Sequence, residues 1–242
     1  MSAKPCYEFR SVVPGVETLN GLSMPRHHHD DGYATIVLAG SFTEVSFAGR
    51  MHAEPGHALL HGRFDCHLDR SSTRRFQILR LPWRLDMMEG QFAVQDPDAL
   101  ARLAEIDPER ASVQLHRELR AIPARDRYWV DDLADDLRAG SNVQLQAWAE
   151  RRGLRPDTVS YVFHREFGVY PKRFRLECRT RLAWREIVTT ACSLTDIAFK
   201  SGFSDLAHLS RSIHILTGRP PRDWRARAHR REPAGSSPFK QQ

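Results

Sequence analysis

Arg211 carries a planar guanidinium able to bridge guanine O6 and N7 with two hydrogen bonds. A phosphate contact or an internal ion pair is its competing role. Ala207, His208, Ser210 and His214 share its side of a helical period whose other side holds Leu209 and Ile213. The arrangement recurs upstream, where Asp157, Ser160, Tyr161 and His164 lie opposite Val159, Val162 and Phe163. The pairs Ser160 and Ser210, Tyr161 and Arg211, and Phe163 and Ile213 are each 50 residues apart. Asp157 would repel phosphate, so it either accepts from cytosine N4 or favours its own helix N-terminus. Arg165, Lys172, Arg173 and Arg219 are candidate phosphate clamps.

Each outward face needs a scaffold. Leu145–Arg152 predicts a helix with the small Ala149 on its inner side; Gly153 permits a left-handed turn, Leu154 plugs the gap, and a second helix starts at Pro156. Leu194–Ser201 repeats the plan, with Ala198 inside, Gly202 at the turn, Phe203 as the plug, and Ser204-Asp205 as a cap. An alanine lets two helices approach closely. Each stretch therefore predicts a helix-turn-helix unit, and a rigid pair could place two helices in successive major grooves, about 34 Å apart.

This double unit resembles the AraC/XylS family of transcription regulators over about residues 140–226. Pro171 to about Val188 would be the linking helix, with Phe174, Arg179 and Ala183 where the family has an aromatic, an arginine and an alanine. Further matches are Gly202-Phe203, Arg211, Thr217-Gly218, Pro220-Pro221 and Trp224-Arg225. Leu209 and Ile213 replace the usual phenylalanines, which keeps a core. Arg155 replaces a capping serine, a loss of roughly 1 kcal/mol to the first reading helix. The resemblance implies a double-stranded DNA partner, a small-molecule effector, RNA polymerase as a further partner, and a monomer or homodimer. It also implies a non-enzymatic protein.

The N-terminal half differs in pattern. Tyr33–Ala39, Thr43–Phe47, Ala58–His61 and Phe76–Leu81 predict short strands separated by glycine and proline, hence a small antiparallel sandwich or barrel. His27-His28-His29, Tyr33 and Gly40 resemble a first cupin motif with tyrosine in place of its glutamate. Pro55-Gly56 and His67 resemble the second. AraC-type sensor domains are often degenerate cupin barrels, and the cupin resemblance implies a metal ligand set of His27, His29 and His67. Three imidazoles suit zinc, iron, nickel or copper. The same histidines could contact an organic effector or be exposed. Asp96-Pro97 and Asp107-Pro108 each predict an N-cap with proline in the first turn. Leu100, Leu103 and Ala104 mark one helix, Leu115, Leu119 and Ile122 the next, and Trp129–Leu137 a third that ends near Gly140.

Charge separates the halves more sharply than the total of +6 suggests. Residues 140–230 carry 17 arginines and lysines against 8 acids, and residues 1–139 carry 17 against 21. The basic half predicts a polyanion partner. Cys6, Cys66, Cys178 and Cys192 form no C-x-x-C pair and predict reduced thiols. No apolar run is long enough for a membrane span, and the N-terminus lacks a signal-peptide stretch, so a cytoplasmic location is expected. The expected plan is α+β and multi-domain. A cupin-like antiparallel β-barrel occupies 1–95, a helical connector with a dimer contact as one role 96–139, an all-α double helix-turn-helix 140–230, and a loose tail 231–242. A metal-dependent cupin enzyme with a helical accessory domain is the main alternative, resting on the histidines alone. A DNA-alkylation repair protein would need a cysteine zinc site that the spacing does not offer.

Overall fold

Short β-rich runs punctuated by glycine and proline build the first part of the chain. The computed structural model describes residues 13–229 apart from residues 22, 84–87, 124–126 and 141–142. Cys6 and the expected tail at 231–242 lie outside the described residues. The strands in chain order are β1 (Gly15–Asn20), β2 (Ser23–His27), β3 (Tyr33–Ala39), β4 (Phe42–Ser46), β5 (Gly49–Ala53), β6 (His57–His61), β7 (His67–Ser71), β8 (Arg75–Pro82), β9 (Gly90–Ala93) and β10 (Arg120–Ala121). One antiparallel sheet has the order β1-β8-β3-β6-β9-β10 and a second the order β2-β7-β4-β5. The chain thus has an antiparallel sheet-rich N-terminal region and a helical C-terminal one.

Helices cover the outer faces of both sheets. Ala34, Ile36, Leu60, Leu79 and Leu81 pack with Leu100 and Ala104 of α1 (Pro97–Ile106) and with Ala111 and Leu115 of α2 (Pro108–Glu118). Asp96 and Asp107 cap these two helices, accepting from Ala99 and Arg110 N–H at 2.8 and 3.0 Å. Helix α2 stops at Glu118, short of the expected Ile122. Leu119 leaves helical geometry, and Arg120-Ala121 pair with β9 as the edge strand of the sheet, which supplies backbone hydrogen bonds in place of another helical turn.

The opposite face, on the four-stranded sheet, takes the next helices. Val45 and Leu68 join a core with residues of α3 (Trp129–Arg138), α4 (Leu145–Glu150), α5 (Pro156–Phe167) and the start of α6 (Pro171–Thr189). That shared core explains where the chain divides. One compact unit ends at Cys178 and the other begins at Arg179, inside α6, whereas composition places the boundaries near 95 and 139. The second unit contains α7 (Leu194–Lys200), α8 (Leu206–Thr217) and α9 (Pro221–His229). Its buried residues include Trp184 and Trp224, whose rings meet edge to face at 5.7 Å.

Candidate nucleic-acid interface and the cavity between the sheets

Two turns have the same geometry. Leu154 N–H donates to the Ala149 carbonyl at 3.0 Å, and Phe203 N–H to the Ala198 carbonyl at 2.9 Å. Both alanines are fully buried, as close helix packing requires. Gly153 and Gly202 adopt φ of 65° and 73°, a region that disfavours a Cβ. Behind the first turn, Val159 and Phe163 are buried, and Phe163 stacks on Phe167 at 4.4 Å. Val162 is only half-buried, whereas Phe167 and Phe174 join the core behind this turn. Behind the second turn, Leu209 and Ile213 are buried.

Caps separate the two second helices. Arg155 precedes α5 without a side-chain capping bond. Asp205 caps α8 by accepting from His208 N–H at 2.7 Å. That bond, the Ser204 hydroxyl and the Arg211 charge hold its carboxyl below the usual range.

The structure places the candidate DNA residues as follows. On α5, Asp157, Tyr161 and His164 are exposed and Ser160 is half-buried; the His164 ring lies 4.4 Å from that of Tyr170. On α8, Ala207, Arg211 and His214 are exposed, while His208 and Ser210 are half-buried. His208 Nδ1 sits 3.2 Å from Ser204 Oγ. Lys172 and Arg219 are exposed. The other two clamp candidates share their charge within the chain: Arg165 Nε donates to Glu166 and Arg173 Nε to Glu177, both at 2.9 Å.

The histidines are buried, not exposed. His27, His29 and His67 line a cavity between the two sheets, together with Tyr33, Glu44, Asp69 and Arg80. One ring nitrogen from each of the three lies within 4.8 Å of the others. His27 Nδ1 is 2.9 Å from the Pro25 carbonyl and His67 Nδ1 is 3.0 Å from the Asp65 carbonyl. A carbonyl oxygen only accepts, so each Nδ1 carries a proton, and in the neutral ring Nε2 keeps the lone pair. Backbone carbonyls orient metal-binding imidazoles in the same way. Burial and the neighbouring His27, His61 and His29 push the His67 pKa well below 6.5, which keeps its ring neutral. The donor set fits a transition-metal ion with nitrogen ligands. Tyr33, where the motif would have glutamate, has its hydroxyl 3.1 Å from His67 Nε2.

Sequence reasoning missed the cavity's carboxylates. Glu44 is 2% exposed, with Oε2 3.4 Å from His61 Nε2. Burial and the charges of Asp69 and Asp65 push its pKa well up. Burial also raises Asp69, to about 7. Strand alternation from His67 would have found Asp69. Glu44 needed a pairing that no local pattern reveals. The cavity leaves about 30 Å³ of free space, enough for one water or one ion. Pockets for drug-sized ligands run to roughly 300–1,000 Å³.

A family model for a helix-turn-helix domain matches residues 148–227. No curated protein matches the chain. Among solved structures, fatty-acid-bound ToxT from Vibrio cholerae is similar at 12% identity and a TM-score of 0.38, over 88% of this chain and 94% of that one. A probable AraC family transcriptional regulator from Rhodopseudomonas palustris is similar at 22% identity and a TM-score of 0.38, over 41% of this chain and 95% of that one. A transcriptional regulator with an AraC-type DNA-binding domain from Chromobacterium violaceum is similar at 21% identity and a TM-score of 0.39, over 42% and 93%.

Proposed function

We propose that the chain is a DNA-binding transcription regulator of the AraC type that reads a specific duplex site through α5 and α8, a reading supported by the helix-turn-helix domain model that matches residues 148–227. The observation carrying this reading is the repeated turn, Ala149 to Leu154 and Ala198 to Phe203, each followed by a helix with a polar outward face. Arg211, exposed on α8, takes the base contact, and Lys172 and Arg219 take phosphates. A DNA target accords with a cytoplasmic location; among the described residues no helix is long and apolar enough to cross a membrane. Regulation at a promoter adds RNA polymerase as a further partner, with the protein acting as a monomer or homodimer.

The region around the cavity is the sensor. A small-molecule effector would have to enlarge a space of about 30 Å³, whereas a single metal ion held by His27, His29 and His67 needs only small ring movements. The size of that space favours the ion as a second reading of the effector. Such an ion would supply a fixed positive charge and draw the three imidazoles, and hence β2 and β7, together. Selection of genomic fragments by the full-length protein tests the regulator reading. A shared motif upstream of genes supports it; recovery of fragments without common sequence refutes it.

A further inference from the structure

The four-stranded sheet has two faces with different duties. On β7, His67 and Asp69 line the cavity, while Leu68 joins the helical core and Arg70 points toward α5. On β4, Phe42 and Glu44 line the cavity and Val45 joins that core. On β2 the switch occurs between consecutive residues: His27 lines the cavity, and Arg26 reaches the helices. One strand layer separates the histidines from the first helix-turn-helix unit.

Three arginines on the outer face hold the last turn of α5. Arg26 Nη1 donates to the Phe167 carbonyl at 3.3 Å, Arg70 donates to the Arg165 carbonyl, and Arg50 Nη1 is 3.4 Å from Glu166 Oε2. The carbonyls ending a helix lack intrahelical partners and carry the negative end of its dipole, so cations are favoured there. Arg26 also donates through Nε to Glu177 Oε2 at 2.9 Å, and Glu177 Oε1 accepts from Arg173 at 2.9 Å. Gly168 closes α5 so near the sheet that a Cβ there would lie 2.5 Å from Leu68 Cδ2.

We infer that Arg26 is a positioning residue for the first reading helix, holding its C-terminal turn from the sensor sheet, and that the state of the cavity reaches α5 through the adjacent His27. This rests on α5 being a reading helix, and it specifies how the sensor regulates that helix. Motion of the His27 ring toward a ligand pulls on β2, and the Arg26 guanidinium carries the displacement to Phe167 and Glu177. The proposed DNA-reading face of α5, with Asp157, Tyr161 and His164, is open to solvent.

Amide hydrogen exchange on the full-length protein tests the inference without DNA, so its failure is distinct from failure of the regulator reading. Arg26→Ala should speed exchange at residues 164–168 at least about tenfold and leave α8 unchanged, and Arg26→Lys should restore part of the protection. Glu177→Gln, which keeps side-chain volume, should move the same amides and serves if Arg26→Ala does not fold. His27→Leu should alter exchange at 164–168 with Arg26 present and have no such effect in the Arg26→Ala background. Unchanged α5 exchange in Arg26→Ala, α5 and α8 loosening together, or a His27→Leu effect independent of Arg26 would each overturn it.

Discussion

Arg26 Nε meets Glu177 Oε2 at 2.9 Å, and the two side chains are only 8% and 7% exposed. They are 151 residues apart in the chain. A buried charge left without its partner is costly, while an apolar replacement of the whole pair is often neutral. Arg26→Ala and Glu177→Leu should each destabilise by about 3 kcal/mol, and Arg26→Met combined with Glu177→Leu by clearly less than either. Denaturant midpoints of the three variants decide this. A double variant as unstable as the sum of its parts would contradict a coupled pair.

The approach of Gly168 to Leu68 gives a second expectation. Gly168 has φ of 72°, so alanine there strains the backbone by about 1 kcal/mol wherever its methyl points. The contact with Leu68 Cδ2 adds to that cost. Gly168→Ala should destabilise by about 1–2 kcal/mol alone, and by about 1 kcal/mol in a Leu68→Ala background. Equal costs in the two backgrounds would mean that the sheet does not crowd this turn.

Asp131 ties β5 to α3 and supplies a pH test. Its Oδ1 and Oδ2 accept from Arg50 at 2.7 and 2.8 Å, and Oδ2 also accepts from Tyr128 N–H at 2.9 Å. Partial burial alone would raise its pKa. The Arg50 and Tyr128 hydrogen bonds and the Arg50 charge outweigh that and hold it below 3.8. A carboxyl depressed on folding contributes stability above its unfolded pKa and loses it as pH falls through the folded value. Asp131→Asn should therefore cost roughly 2 kcal/mol at pH 7, and the gap to the parent protein should shrink below pH 3.8. A gap independent of pH would contradict the ion pair.

Cobalt reports on the histidine set. Three imidazoles around Co²⁺ in a four- or five-coordinate site should give visible absorption bands that His67→Ala abolishes and that zinc displaces stoichiometrically. His61→Ala, outside the His27, His29 and His67 set, should retain them. Bands surviving loss of His67, or none at all in protein without an affinity tag, would retire the ion as effector.

Much of the helix-turn-helix region was legible because local rules govern it. Gly153, Gly202 and Asp205 announce turns and a cap by residue type alone, and the spacing of Ala149 and Ala198 marks the buried approach. The sheet region was legible only where a strand carries a strong run of β-formers, as at Tyr33–Ala39. Strand β2 (Ser23–His27) contains a proline, an arginine and a histidine, and β7 (His67–Ser71) an aspartate and an arginine, because one face of each meets polar partners rather than core. No periodicity rule selects such segments. Their role depends on pairing with distant residues, Arg26 with Glu177 and Arg70 with Glu166. The sharing of a core between Leu68 and Phe167 was hidden for the same reason.

The most direct measurement is the affinity of the full-length protein and of Arg211→Ala for a selected genomic duplex and its scrambled counterpart, across a series of salt concentrations. Sequence-specific reading through α8 predicts a selected duplex bound at least about a thousandfold more tightly than the scrambled one, with affinity falling steeply with salt. It also predicts that Arg211→Ala removes roughly 1–3 kcal/mol of that preference and little of the salt dependence. Equal affinity for both duplexes, or an undiminished preference in Arg211→Ala, would contradict it.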